Sequence, residues 1–327
     1  MKFKNNKKII IITFIFVLLS VNGFAFEKVG TTSFQFLKVM TDARSTGMGE
    51  AYSAVTNTSA AVFWNPAALA KVENMDMSVS YLDWLLDITH SSFSFAYTLL
   101  GVGTFGIQGL YTDVGEIEET RVSDLGFIGD TYNPGLTGRT FSPGSLVLGL
   151  SYARSLTDKF TFGLTAKFVQ EDLYVKKVST MMFDGGLTFQ TGFRSLELAA
   201  VVRHFGQEIK YYDQGYPLPQ TFTIGISGYL IAEENHFLLP SNHHSLLFAF
   251  DLSQPRDYDQ QYHVGLEYSL RKFIFLRGGY KMNFDQEGPS AGFGLCTKGI
   301  RVDYSYCDFG EYFDAVHRFT IGFNFKK

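Results

Sequence analysis

From about residue 75 to residue 325, apolar positions alternate with small or polar ones at a period of two, in segments of about ten residues separated by turn-forming residues. Phe319, Ile321, Phe323 and Phe325 alternate with Thr320, Gly322 and Asn324. Phe160, Phe162, Leu164, Ala166 and Phe168 alternate with Thr161, Gly163, Thr165, Lys167 and Val169. Successive side chains of a strand point to opposite faces, so each segment has one greasy face and one polar face. Fourteen segments carry the pattern: 75–82, 90–99, 102–113, 145–154, 159–170, 180–190, 194–204, 220–231, 244–252, 260–269, 272–281, 289–297, 300–308 and 315–325. This predicts an all-β fold, an antiparallel transmembrane β-barrel of about 14 strands, with lipid outside and a polar lumen inside.

The connections alternate as well. Those after the second, fourth, sixth, tenth and twelfth segments are tight (Leu100-Gly101, Ser155–Asp158, Thr191–Phe193, Leu270-Arg271 and Lys298-Gly299), and the others are mostly longer. Outer-membrane barrels have short periplasmic turns and long extracellular loops, which places both termini in the periplasm. Ala232–His243 breaks the rule, being long where a tight turn belongs, and reads as a periplasmic excursion or a miscounted strand. The longest loop, Val114–Pro143, opens with Glu116, Glu118, Glu119, Asp124 and Asp130 against Arg121, and reads as a cation site or as a solvated surface loop.

Strand parity puts Lys167, Asp184, Glu197, Arg203, Asp251, Glu267, Arg277, Arg301 and Asp303 opposite the apolar face. A charge on the lipid face costs about 2–4 kcal/mol at the midplane, so a barrel requires them inside. Their signs nearly balance, whereas a selective pore presents rings of one sign. A filled or narrow lumen is expected.

The first eight residues carry four lysines, an apolar run follows over Ile9–Val21, and Gly23-Phe24-Ala25 supplies small residues. This reads as a secretory signal peptide over 1–25, with cleavage expected after Ala25 and a mature start at Phe26; the other reading is an uncleaved anchor helix. Removing its four lysines takes the formal charge from −4 to −8, which excludes the basic footprint of a nucleic-acid binder. Cys296 and Cys307 fall in neighbouring segments, opposite Arg301 and about Ser290, so two free thiols are expected. No cofactor motif is present. His263 and Ser269 share a face but lie six residues apart on one strand, and His243-His244 point to opposite faces without a third ligand, so neither catalysis nor a metal centre is read.

Residues 26–74 lack the alternation. Thr31–Val39 reads as an edge strand or extended arm, and small residues over Asp42–Val55 (Gly47 and Gly49 among them) permit close packing. Phe63–Ala70 reads as a short helix with Asn65 as N-cap and Pro66 at its first position. A compact element of this kind ahead of a barrel, residues 75–327, is expected to be a plug.

Here the chain resembles a known family. Phe34–Val55 (FQFLKVMTDARSTGMGEAYSAV), running on to Phe63–Ala70 (FWNPAALA), looks like the opening signature of the PorV/PorQ family. Ser151–Arg154, Phe162–Lys167, Phe183–Gly186, His204–Gly206 with Leu218-Pro219, Phe250-Asp251, Gly265–Tyr268, Leu276–Tyr280 and His317–Gly322 follow in the family's order. The resemblance implies a fourteen-stranded outer-membrane barrel related to the FadL fatty-acid transporters, with Gly47, Gly49, Trp64, Asn65 and Pro66 as the plug motif. Glu50 stands where the family usually has a second Gly, and Ala68 where it has the Gly of Asn-Pro-Ala-Gly. The chain ends Phe323-Asn-Phe325, matching the aromatic ending that barrel assembly recognises, with Lys326-Lys327 beyond it.

Two functions stand open. One is a non-enzymatic type IX secretion component that docks secreted client proteins and other secretion-system components, through loop 114–143 and the tyrosines 211, 212 and 216. The alternative is FadL-like transport of long-chain fatty acids or other hydrophobic small molecules, with Phe63, Trp64, Phe273 and Phe275 as candidate lining residues. Either protein sits in outer-membrane lipid.

Overall fold

The computed structural model describes residues 29–310 and 313–325; the expected signal peptide, the mature start at Phe26 and the Lys326-Lys327 extension lie outside them. Fourteen long strands alternate as expected: β1 Met75–Asp83, β2 Thr89–Leu99, β3 Gly103–Asp113, β4 Gly144–Ser155, β5 Phe160–Asp172, β6 Lys177–Gln190, β7 Glu197–Gly206, β8 Thr221–Ala232, β9 His244–Pro255, β10 Gln261–Leu270, β11 Ile274–Met282, β12 Pro289–Thr297, β13 Ile300–Cys307 and β14 Val316–Phe325. Each boundary falls within three residues of the sequence expectation. Neighbours pair antiparallel, and β14 returns to β1 with Met75 opposite Phe325 and Asp83 opposite His317. Closure matters because a strand edge facing hydrocarbon would leave backbone groups without partners. The outward face is apolar and exposed, as at Leu150 and Leu164, while Ser80, Ser92 and Ser94 point inward and are buried.

Two departures from regularity have local causes. Between β6 and β7 the register slips at Phe183/Gly185, and His204 takes a left-handed φ of 60° while its N–H bonds to the Asp184 carboxylate instead of the ladder. The long connection after β8 is an excursion and not a miscounted strand. Its Leu239–Pro240 pair runs parallel to Ile231–Ala232, and Phe237 packs over Gly228 and edge-on to Phe193. Those residues extend the wall where β8 outruns β7, whose pairing stops at Ser227 opposite Glu197.

Val114–Pro143, expected as a loop, is a β-hairpin of Ile117–Ile128 and Thr131–Phe141 that pairs with no barrel strand. Its exposed strands carry no apolar alternation, and the register shifts between Glu118 and Leu125. Cys296 lies opposite Arg301 and Cys307 opposite Ser290, and both thiols are free.

The N-terminal residues 29–74 run through the barrel interior. Thr31–Val39 is an arm with a 3₁₀ turn at Gln35–Lys38. Short helices follow at Ala43–Gly47 and Ala61–Trp64, then a 3₁₀ helix at Pro66–Lys71. The arm attaches at the long-loop end, where Ser33 N–H donates to Pro217 O at 2.9 Å. The other end of the segment reaches the tight-turn end, where Thr98 N–H donates to Asn74 O. The described part of the segment therefore runs from the long-loop rim to the tight-turn rim, where β14 also ends at Phe325.

Candidate functional site

On seven strands a lumen-facing glycine touches the N-terminal segment. Gly106 meets Val62 and Leu69; Gly163 meets Pro66 and Ala67; Gly186 meets Asn65; Gly225 meets Ser53; Gly265 and Gly279 meet Met48 and its neighbours; Gly292 meets Gly47. At all of these a Cβ would overlap or crowd the segment: its backbone at Gly163, Gly265, Gly279 and Gly292, and its side chains at Gly106, Gly186 and Gly225. These positions were visible only as scattered glycines on polar faces, because nothing in one strand says what lies opposite it across a lumen.

The motif residues occupy the centre of this contact. Gly49 has φ +61°, and a Cβ there would stand 2.6 Å from Tyr280 N. Asn65 is fully buried. Its Oδ1 accepts from Ala67 N–H at 3.1 Å, capping the 3₁₀ helix that Pro66 opens, and its Nδ2 donates to Ser53 O and to Leu187 O of the wall. Trp64 packs edge-on to Tyr52, with the Arg203 guanidinium over its indole at 5.3 Å.

The nine expected lumen charges all face inward, and partners reach them from wall and segment alike. Lys167 pairs with Asp184 at 2.7 Å, and Arg277 bridges Glu267 (2.7 Å) and Asp303 (2.6 Å). The segment supplies Arg44 to Glu267 at 2.7 Å and Lys71 to Glu197 at 2.5 Å. Asp251 accepts the backbone N–H groups of Tyr52 and Ser53, and Arg203 donates to Phe63 O at 3.4 Å. Arg301 pairs with Asp76 at 2.8 Å.

Sequence reasoning missed several members of the network. Asp76, Lys281 and Arg318 share the inward parity of their strands but lie towards strand ends. Lys281 pairs with Glu50 at 2.5 Å and with Glu287 of the following loop. Arg318, 1% exposed, donates to Met40 O at 2.9 Å. His204 completes the Lys167–Asp184 pair, its Nδ1 lying 2.9 Å from Lys167 Nζ.

Between arm and wall lies a chamber of about 40 Å³, lined by Leu37, Val39, Met40, Phe63, Leu110 and Val147 with Lys167 and His204 at one side. Trp64 lines a separate polar space of about 20 Å³ with Arg203, Asp251 and His263. A water needs roughly 10–15 Å³ by this measure, so neither space admits an organic molecule as it stands. Phe273 and Phe275 line neither. Phe273 sits in the tight turn before β11 and is 45% exposed, and Phe275 lies under the Arg277 guanidinium. Parity gives a face but not a depth along the barrel.

At the long-loop rim two carboxylates act as hubs. Asp257 accepts from Thr32 Oγ1 (2.8 Å), Gln35 Nε2 (3.3 Å) and Lys38 Nζ (2.6 Å), all on the arm. Burial pushes its pKa up, but the hydrogen bonds from Lys38 and Thr32 and the lysine's charge outweigh it and hold the carboxyl below its ordinary value. Glu119 accepts from Thr137 and Arg121, also pairs with Arg139, and is held low by those hydrogen bonds. That leaves its carboxylate satisfied by protein groups, and among the described residues no cluster of metal-ligating side chains occurs. Tyr211 donates to Glu171, while Tyr212 is exposed beneath Lys176.

Residues 25–200 match the family model described as type IX secretion system protein PorV. Among solved structures, the chain is similar to the Ralstonia pickettii toluene transporter TbuX, at 14% identity and a TM-score of 0.58, over 89% of this chain and 99% of that one. It is also similar to the P. putida toluene transporter TodX (12%, TM-score 0.55, 86% and 98%) and to a Pseudomonas aeruginosa FadL homologue (12%, TM-score 0.52, 88% and 98%). At such identities the likeness concerns the fold. No curated protein matches.

Proposed function

The chain belongs to the PorV family, and on that footing we propose that this outer-membrane barrel is a closed, non-enzymatic component of type IX secretion, delivering or attaching exported proteins at the cell surface. The observation that carries the reading is the segment's attachment to the wall. Lys38, Arg44, Glu50 and Lys71 each pair with a wall or loop residue, from the long-loop rim to the tight-turn rim. A plug anchored by four ion pairs, and packed against seven wall glycines, suits a scaffold more than a conduit. The long-loop end is then extracellular and offers the docking face.

The alternative, uptake of a hydrophobic small molecule, draws on the apolar chamber lined by Phe63, Leu110 and Val147. It requires the arm to move, because the chamber as it stands holds only a few waters. Deleting the gene and restoring it in trans decides between the two. The secretion reading expects surface-attached proteins to be lost and restored while fatty-acid and toluene uptake stay constant. Normal surface attachment in the deletion strain, with slower uptake, sinks it in favour of transport.

A further inference from the structure

The hairpin over residues 117–141 is the longest connection of the barrel among the described residues. Its base is fixed: Val114 N–H donates to Pro143 O at 3.1 Å, Glu119 gathers Arg121 and Arg139, and Phe141 stacks on Tyr174 at 4.5 Å. The two strands carry the Gly129-Asp130 turn beyond that base. Beyond it, apolar side chains stand in solvent: Val122 is 84% exposed, Phe127 74% and Ile128 71%, with Leu125 and Tyr132 beside them. The two strands form a sheet of their own, so both outer edges are unpaired among the described residues. An exposed edge flanked by apolar side chains is a template for another strand.

Charge says which strand. Glu119 is consumed by its two arginines, whereas Glu116, Glu118, Asp124 and Asp130 enter no ion pair among the described residues. The exposed face is thus apolar and acidic together. That repels a second copy of the same hairpin and the anionic headgroups of lipid, and attracts cations. We infer that this hairpin binds an extended segment of a protein partner that alternates apolar residues with lysine or arginine, by adding it as a third strand. The inference rests on the secretion reading for the partner's origin, an exported protein, and on the hairpin alone for its chemistry.

The probe is a synthetic eight-residue strand of alternating lysine and valine, with a glutamate-for-lysine twin, titrated against the full chain in detergent. Two variants leave the base intact: F127S/I128S at the tip, and E116Q/E118Q/D124N/D130N for the charges. Unchanged heat-modifiable migration in electrophoresis shows that both barrels have folded. The lysine peptide is expected to bind, at least tenfold more weakly to either variant, with salt weakening only the wild-type and tip-variant complexes; the glutamate twin is expected not to bind. Equal binding of the lysine peptide to wild type and to both variants overturns the proposal, and so does binding of the twin as tightly as the lysine peptide. In cells, tip-variant strains that attach exported proteins normally while the deletion strain does not refute the hairpin's role and leave the secretion reading standing. A deletion strain with normal attachment refutes that reading whatever the peptides do.

Discussion

The lumen and the outer hairpin use the same residue types to opposite ends. Inside, Lys167, Asp184, Glu267, Arg277, Asp303, Arg44 and Lys281 are buried or nearly so, and each meets an opposite charge. Outside, Glu116, Glu118, Asp124 and Asp130 form no ion pair among the described residues, and Phe127 and Ile128 meet water. Burial makes the difference. A charge in a dry lumen must find a partner to be tolerated at all, whereas a charge on a solvated hairpin costs nothing while unpaired. Structure is therefore fixed inside and capacity for interaction is left outside. Substitutions of like kind should separate the two regions by their effect on stability.

The largest contrast lies in arginine. Arg277→Met leaves Glu267 with Arg44 alone and Asp303 without its cation, and removing one partner of a buried pair costs about 3–5 kcal/mol. Arg121→Met removes one of the two exposed guanidiniums on Glu119 and should leave stability unchanged within error. Urea denaturation in detergent, followed by tryptophan fluorescence, compares them. Equal losses would mean that the lumen is wetter than its burial implies.

Glycine gives the next contrast. A Cβ at Gly163 runs into the Pro66 carbonyl and Ala67 N, whereas one at Gly278, on the lipid side, meets nothing within 4 Å. Overpacking costs about 1–3 kcal/mol, so Gly163→Ala should displace the plug and Gly278→Ala should be silent. Single-channel recording detects the first as a new conductance. Silent behaviour of both would mean that the plug backbone yields without opening a path.

How much of this was legible follows from periodicity. Strand number and the inward charges come from a period of two, which is local information, so the inward face of Arg277 and Asp184 is legible in the sequence alone. The plug's seat is not. The glycines at 163, 186, 225, 265, 279 and 292 are spread over six strands, and they share a meaning only once the barrel closes around Asn65 and Gly49. The hairpin was hidden for another reason: its exposed strands need no greasy face, so the signal that identifies a half-buried strand is absent from them.

The arm offers a pH test of the rim. Asp257 has its pKa depressed by Lys38 and Thr32, so the stability it lends is present above the unfolded carboxylate value, about 3.9, and is lost as pH falls through the lower folded value. Thr32–Lys38 should stay protected in hydrogen exchange at pH 7 and pH 5 and loosen below about pH 4. Asp257→Asn should show the loosened pattern at every pH. The hairpin's Glu119, drained by Thr137 and Arg121, should release its own base in a similar acid range without affecting the arm. Simultaneous release of both in the Asp257 variant would show that rim and hairpin are one unit.

The smallest expected effect concerns Glu50, which stands where the family resemblance has glycine. Its φ is +64°, a left-handed conformation that strains a side-chain-bearing residue by on the order of 1–2 kcal/mol. It is held there by the ion pair with Lys281, whose ammonium also meets Glu287 and lies over the Phe284 ring at 5.2 Å. Glu50→Gly removes one carboxylate and the strain together, and Lys281 keeps Glu287, so the net change should stay within about 1 kcal/mol of zero. Lys281→Met instead leaves Glu50 and Glu287 without their cation and should cost about 3–5 kcal/mol. If Glu50→Gly proved as damaging as Lys281→Met, the three residues would act as an indivisible latch between plug and outer loop. If it stabilised the barrel, the glutamate would be held at a cost to the fold, and the reason for it would have to be sought in what the plug and that loop do together.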